Sequence, residues 1–108
     1  NVALPKSLTT RINEIKVLSD SISNNIGENI IEKELLNAKN SRVETAVNQF
    51  NELHKVNPTK AADYVPRFEE ALDNVKTEME NKIEQLSEKD GNDFEIALRM
   101  LENNDLML

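Results

Sequence analysis

The sequence has 108 residues, of which 38% are hydrophobic and 31% charged, with two Gly, three Pro and no Cys. This composition is typical of one folded, soluble helical domain, and it excludes disulfide scaffolds and Cys-based zinc sites. A membrane span is excluded too, because no apolar run approaches about 20 residues. The chain starts at Asn1 rather than Met, so we expect residues 1–108 to be a single domain excised from a longer protein.

The net charge of −7 is unevenly distributed. Residues 1–60 carry eight Lys and Arg against seven Asp and Glu, whereas residues 61–108 carry five against thirteen. An acidic surface repels nucleic-acid phosphates and anionic lipid. We therefore expect a protein partner with a basic surface rather than a nucleic acid.

The first helix is predicted over about 5–25. Pro5 suits the first helical turn, and Gly27 ends the segment. Between them, apolar residues recur at spacings of three and four, which places them on one face of a helix. These residues are Leu8, Ile12, Ile15, Leu18, Ile22 and Ile26.

A second helix is predicted from Glu28 to about Lys55. Its apolar pattern changes phase near Asn40, and the following Ser41-Arg42-Val43-Glu44 matches a capping box at which a new helix could start. No Gly or Pro lies between Glu28 and Val56, which favours one continuous helix. Both a continuous and a broken helix 2 remain compatible with the sequence.

Two prolines predict interruptions after helix 2. Pro58 forces Asn57 out of helical geometry, and Pro66 favours a short turn at 60–65 rather than a helix. A third helix then runs to about Lys89 on the most regular apolar stripe in the chain. The stripe consists of Val65, Phe68, Leu72, Val75, Met79, Ile83 and Leu86.

Gly91 predicts the end of helix 3 and a fourth helix from about Phe94. The apolar face of that helix is Phe94, Ala97, Leu98 and Leu101, and the chain closes on Leu106-Met107-Leu108. The expected fold is therefore all-α, an up-down antiparallel bundle of about four helices.

The sequence offers no catalytic, cofactor or metal constellation. His54 is the only histidine, and the Glu-x-x-His motif of di-iron bundles is absent. The Asp90-Gly91-Asn92 segment fails the calcium-loop pattern, because Glu95 and Leu101 stand at its sixth and twelfth positions. We expect a protein that is not an enzyme and binds no cofactor.

An acidic row on helix 3 is the candidate binding surface. Its like charges, spaced four residues apart at the end of the row, repel one another, and a basic partner would relieve that repulsion. The row consists of Glu69, Asp73, Glu80, Glu84 and Glu88, and the apolar Leu106, Met107 and Leu108 are predicted to complete an apolar docking groove. A plain solvated face is the competing interpretation.

Residues 85–105 contain Gln85-Leu86-Ser87, Asn92-Asp93 and Leu101-Glu102-Asn103-Asn104-Asp105, and this segment resembles the end of a GAT domain, the helical module of sorting adaptors. The segment Ile15-Lys16-Val17-Leu18-Ser19 resembles the first helix of that family. The resemblance implies binding of ubiquitin or a small GTPase in membrane traffic. The chain departs from the family in residues 27–60, which form an additional helix.

The leading prediction is a non-enzymatic protein-interaction domain that docks a basic or apolar partner through the acidic row. One alternative is oligomerisation, in which the stripe of helix 3 pairs between chains as a coiled coil. Another is a domain in membrane traffic that binds anions or phosphoinositides. Its candidate cations are scattered along the sequence at Lys6, Arg11, Lys16, Lys55 and Lys60.

Overall fold

A computed structural model describes residues 4–103 and shows three α-helices. They are α1 (Lys6–Asn25), α2 (Ile30–Val56) and α3 (Pro58–Asn103). The chain runs up α1, down α2 and up α3, and α3 is the main packing partner of both other helices. The all-α bundle is confirmed, but it has three helices rather than the expected four.

The predicted limits of α1 are close to the observed ones. The helix follows Pro5 and ends at Asn25, and Gly27 then turns the chain with a φ of 58°, a conformation that Gly adopts without steric cost. The side chain of Asn29 accepts a hydrogen bond from the backbone N–H of Glu32 at 3.0 Å. Asn29 is therefore the N-cap that fixes the start of α2.

The continuous form of helix 2 is confirmed, because α2 passes through Ser41 without a break. It ends at Val56, and Asn57 has a non-helical backbone with φ −149° and ψ 87°. The Asn57 side chain accepts a hydrogen bond from the backbone N–H of Lys60 at 3.0 Å, which caps α3. Pro58 occupies the first helical position, where its missing N–H costs nothing.

The predicted turn at 60–65 is wrong, because α3 is helical from Pro58 through Pro66. Pro66 removes the hydrogen bond to the carbonyl of Ala62. Both residues lie on the exposed side of the helix, where water can reach that carbonyl. The helix therefore continues, held on its other side by buried Ala61 and Leu72.

The predicted break at Gly91 is also wrong. Gly91 lies inside α3, and the only described glycine with a positive φ is Gly27. A helical φ is open to Gly, and its cost in a helix interior is only about 1 kcal/mol relative to Ala. The expected helices 3 and 4 are one helix of 46 residues.

The core lies between α1, α2 from Leu36 to Leu53 and the first thirty residues or so of α3. The predicted stripe of α1 lines it, and so does the whole stripe of α3 from Val65 to Leu86. That stripe is consequently covered within one chain. The fully or nearly buried apolar side chains are Leu8, Ile15, Ile22, Ile26, Phe50, Ala61, Leu72 and Met79.

The described molecule is elongated, with principal extents of 75 × 25 × 19 Å. The longest dimension follows from α3, since 46 residues at 1.5 Å each span about 69 Å. The 27 residues of α2 span only about 40 Å. The C-terminal part of α3 therefore projects beyond the other two helices.

Candidate interaction surface

Two members of the predicted acidic row, Glu69 and Asp73, are used inside the molecule. The Nε of Arg11 donates a hydrogen bond to Oδ1 of Asp73 at 2.9 Å, and its Nη1 donates to Oε2 of Glu69 at 3.1 Å. Both contacts join α1 to α3. Glu69 and Asp73 therefore orient α1 along α3, and sequence reasoning missed this role because Arg11 is about 60 residues away along the chain.

The cations in these contacts are stabilised in their charged form. The hydrogen bond to Asp73 raises the pKa of Arg11, with the charges of Asp73, Glu69 and Glu14 acting in the same direction and burial opposing them. Lys76 pairs with Glu14 of α1, and this hydrogen bond and charge raise the pKa of Lys76. A line of ion pairs thus runs along the α1–α3 seam.

The remaining three members of the row, Glu80, Glu84 and Glu88, are exposed. Within residues 4–103 none of these three carboxylates forms an ion pair. They form a short acidic ridge on the α3 surface. Leu106, Met107 and Leu108, the apolar part of the predicted site, lie outside the described residues.

The projecting end of α3, residues 87–103, is named here the α3 extension. The segment predicted as helix 4 lies within it, and its expected packing into the bundle is wrong. Phe94 is 64% exposed and Leu101 is 78% exposed, and Leu98 is the only half-buried residue of the segment. Ile96 and Met100 are also exposed, although neither was part of the predicted face.

The apolar side of the α3 extension points the same way as the core side of the same helix. Eighteen residues make about five full turns of an α-helix, so Ala97 repeats the angular position of Met79. Leu101 repeats that of Ile83 in the same manner. Because Met79 and Ile83 pack in the core, residues 94–101 of the α3 extension present an apolar face on the side where the core part of α3 meets its neighbours. Asp90 and Asp93, which repeat the positions of Leu72 and Val75, lie on this side in the first turns of the extension.

The apolar face of residues 94–101 is wide, and the charged residues of this segment lie on the opposite side of the helix. Six of the eight residues from 94 to 101 are apolar, and they cover an arc of roughly 200° at 100° per residue. The other two, Glu95 and Arg99, pair with each other at 3.2 Å. An apolar face of this width is typical of a helix that packs against two neighbouring helices.

A second apolar patch lies at the base of the α3 extension. Ile30, Ile31 and Leu35, in the first turns of α2, are exposed. An ion pair between Lys82 and Glu32, 2.7 Å apart, sets the antiparallel register of α2 on α3. This register places Ile30 beside about residue 85 of α3, next to the point where the α3 extension begins.

A groove between the end of α2 and the start of α3 lies near the opposite end of the bundle. Its volume is about 500 Å³, and Phe50 and Phe68 form its floor with ring centroids 5.6 Å apart. Lys60 and Arg67 stand at its rim. The groove is shallow and open, and among the residues that line it none is a buried unpaired polar group.

The predicted cationic set does not form one pocket. Arg11 binds carboxylates of α3, Lys55 pairs with Glu52 at 3.2 Å, and Lys60 lies at the rim of the groove just described.

His54 packs beside Phe50, with ring centroids 6.3 Å apart. Residues 4–103 hold no cluster of three potential metal ligands. No helix in this range has the length and apolar character needed to cross a bilayer.

Comparison of the chain with protein-family models, curated proteins and solved structures found no match. The resemblance to the GAT domain therefore gains no support from these comparisons. Function is consequently inferred from the surface of the molecule. The two exposed apolar patches and the acidic ridge are its distinctive features.

Proposed function

We propose that the chain is a non-enzymatic helical interaction domain that binds another protein through the α3 extension. The observation that carries the proposal is the uncovered apolar face of this projecting helix, formed by Phe94, Ile96, Ala97, Met100 and Leu101. Soluble monomers rarely expose a contiguous apolar patch of this kind unless it contacts something.

The form of the α3 extension suits helix-mediated recognition. Its apolar residues recur at the i, i+3, i+4 and i+7 spacings by which an amphipathic helix enters a groove or joins a bundle. Phe94, Ala97 and Leu101 supply this series, with the i+4 position taken by Leu98. Because the first part of α3 is anchored in the core, the α3 extension is already helical, and its binding to a partner loses little conformational entropy.

The acidic ridge adds a preference for charge. Glu80, Glu84 and Glu88 lead from the bundle toward the α3 extension, and Glu95 and Glu102 continue on the same side of the helix. These charges raise the encounter rate with a partner whose binding surface has a basic edge. The apolar face then supplies most of the binding energy, as in other interfaces.

Affinity capture with a tagged chain tests the proposal. The variant Phe94→Asp/Leu101→Asp introduces two charges into the apolar face, and Glu80→Lys/Glu84→Lys/Glu88→Lys reverses the ridge. Val17→Asp is the control, since Val17 is an apolar side chain on α1 that is 68% exposed, similar to the exposure of Phe94. We expect the first variant to lose the partner, the second to weaken binding and the control to retain it. Equal capture by all variants would refute the proposal.

A further inference from the structure

We propose that the partner of the α3 extension is a second copy of this chain, and that the two extensions pack antiparallel about a twofold axis. The proposal rests on the proposed function for the apolar face, but it replaces a partner with a basic edge by a second copy whose acidic ridge lies outside the contact. It is carried by the relative placement of the two exposed apolar patches. One lies along the α3 extension, and the other lies at its base on α2.

The two patches are placed to complement each other in a symmetric pair. The α3 extension has 17 residues, which span about 25 Å. When two extensions overlap fully in antiparallel orientation, the tip of each reaches the base of the other. Met100 and Leu101 at the tip of one copy then meet Ile30 and Ile31 of the second copy, and the twofold axis repeats the contact.

The width of the apolar arc fits the same arrangement. One helix packed on the α3 extension would cover only part of an arc of roughly 200°. In the antiparallel pair, each extension meets the other extension along its length and the start of α2 of the other copy near its tip. Met79 and Ile83 lie on the same side of α3 within the core. The contact between the two extensions therefore continues the packing surface of the core along α3.

The area is sufficient for a specific dimer. Seven large apolar side chains in the two patches are 57% to 78% exposed. At roughly 100 Å² each, they present on the order of 700 Å² per copy, close to the ~800 Å² per partner that a specific interface buries. The seven are Ile30, Ile31, Leu35, Phe94, Ile96, Met100 and Leu101.

The charges favour the antiparallel direction over the parallel one. Residues 87–95 carry four Asp and Glu and one Lys, whereas residues 96–103 carry one Arg and one Glu. A parallel pair would place the two acidic halves side by side, which costs energy through like-charge repulsion. The antiparallel pair places each acidic half beside a neutral one. Asp90 and Asp93 lie on the facing side, where a parallel pair would set each against its own copy, whereas Glu95, Glu102 and the acidic ridge lie on the outer side.

Sedimentation of the full chain across the micromolar range tests whether the chain associates with a second copy of itself. The expected result is a concentration-dependent shift from 12.3 kDa to twice that mass. Phe94→Asp/Leu101→Asp should weaken the association by at least about tenfold, and Ile31→Asp should weaken it as well. Val17→Asp should leave it unchanged. Circular dichroism checks that each variant keeps its helices, which we expect because all the substituted side chains are exposed.

Crosslinking tests the direction, and the absence of Cys in the chain makes single-cysteine variants clean probes. With a short thiol-reactive crosslinker, Ala97→Cys near the middle of the α3 extension should link two copies. Asn103→Cys at the tip should not, because the two tips lie at opposite ends of the pair. Efficient linking of two Asn103→Cys chains would overturn the antiparallel arrangement.

If the chain stays monomeric throughout the concentration range, a second copy is not the partner of the α3 extension. The same conclusion follows if the chain dimerises but the Phe94→Asp/Leu101→Asp variant dimerises equally well. Neither result decides the proposed function. That function fails only if the same variant captures a different protein as well as the unaltered chain does. The two failures are therefore distinguishable.

Discussion

Arg11 and Asp73 join the first and last helices of the bundle through a hydrogen bond of 2.9 Å between the guanidinium Nε and the carboxylate Oδ1. Glu69, one turn earlier on α3, accepts a second hydrogen bond from the same guanidinium. A fork of this kind fixes both the axial position and the rotation of α1. The two carboxylates that the sequence assigned to a partner therefore bind α1.

A double-mutant cycle at Arg11 and Asp73 should reveal this coupling. Arg11→Gln and Asp73→Asn should each lower the midpoint of urea unfolding, and the double variant should lower it by less than the two shifts combined. The coupling should diminish at high salt, because both side chains contact solvent. Strictly additive midpoints would show that the contact contributes nothing.

The pair of Lys76 and Glu14 predicts a loss of stability at alkaline pH. The pKa of Lys76 is raised above its ordinary value of 10.5, so its contribution is fully present below pH 10.5 and is lost as the pH rises through the higher value in the fold. Lys76→Gln removes this ionisation. Its free energy of unfolding should fall less steeply with pH above 10.5 than that of the unaltered chain. Parallel curves would contradict the assignment.

The two glycines should respond to Ala substitution in opposite directions. A Cβ would meet no atom within 4 Å at either position, so only the backbone distinguishes them. Gly27→Ala should destabilise the fold by about 1–2 kcal/mol, because φ at this position is +58°. Gly91→Ala should stabilise the helix by about 1 kcal/mol. Thermal unfolding measures the first effect, and amide hydrogen exchange of residues 88–103 measures the second.

The local signals in the sequence predicted α1 and α2 well, because periodicity and the Gly27 turn act within a few residues. Pro66 and Gly91 misled the prediction of α3, since their local cost is about 1 to 3 kcal/mol and the packing of α3 on two helices outweighs the cost at Pro66. The charge of Glu69 and Asp73 was visible, but their partner was not. Only the fold brings Arg11 to them and leaves Phe94 uncovered.

The hydrogen bond between Ser19 and Asn40 should contribute measurably to the free energy of unfolding. Asn40 Nδ2 donates to Ser19 Oγ at 2.8 Å, and it connects α1 to α2, which contact each other less than either contacts α3. Ser19 is buried, so Asn40→Ala leaves its hydroxyl unpaired at a cost of about 1–3 kcal/mol. The double variant Ser19→Ala/Asn40→Ala removes both partners and should be more stable than Asn40→Ala alone. Urea unfolding gives both values.

Leu72 and Leu101 lie on the same helix and provide the clearest separation between core and projecting surface. Leu72 is 2% exposed, and Leu72→Ala should lower the free energy of unfolding by about 3 kcal/mol through lost burial and a new cavity. Leu101→Ala should change the unfolding of the monomer by less than about 0.5 kcal/mol, since it removes no packing contact there. Chemical denaturation at dilute concentration compares them. A large effect of Leu101→Ala on the dilute monomer would mean that the α3 extension folds back on the bundle, and would remove the surface on which both proposals depend.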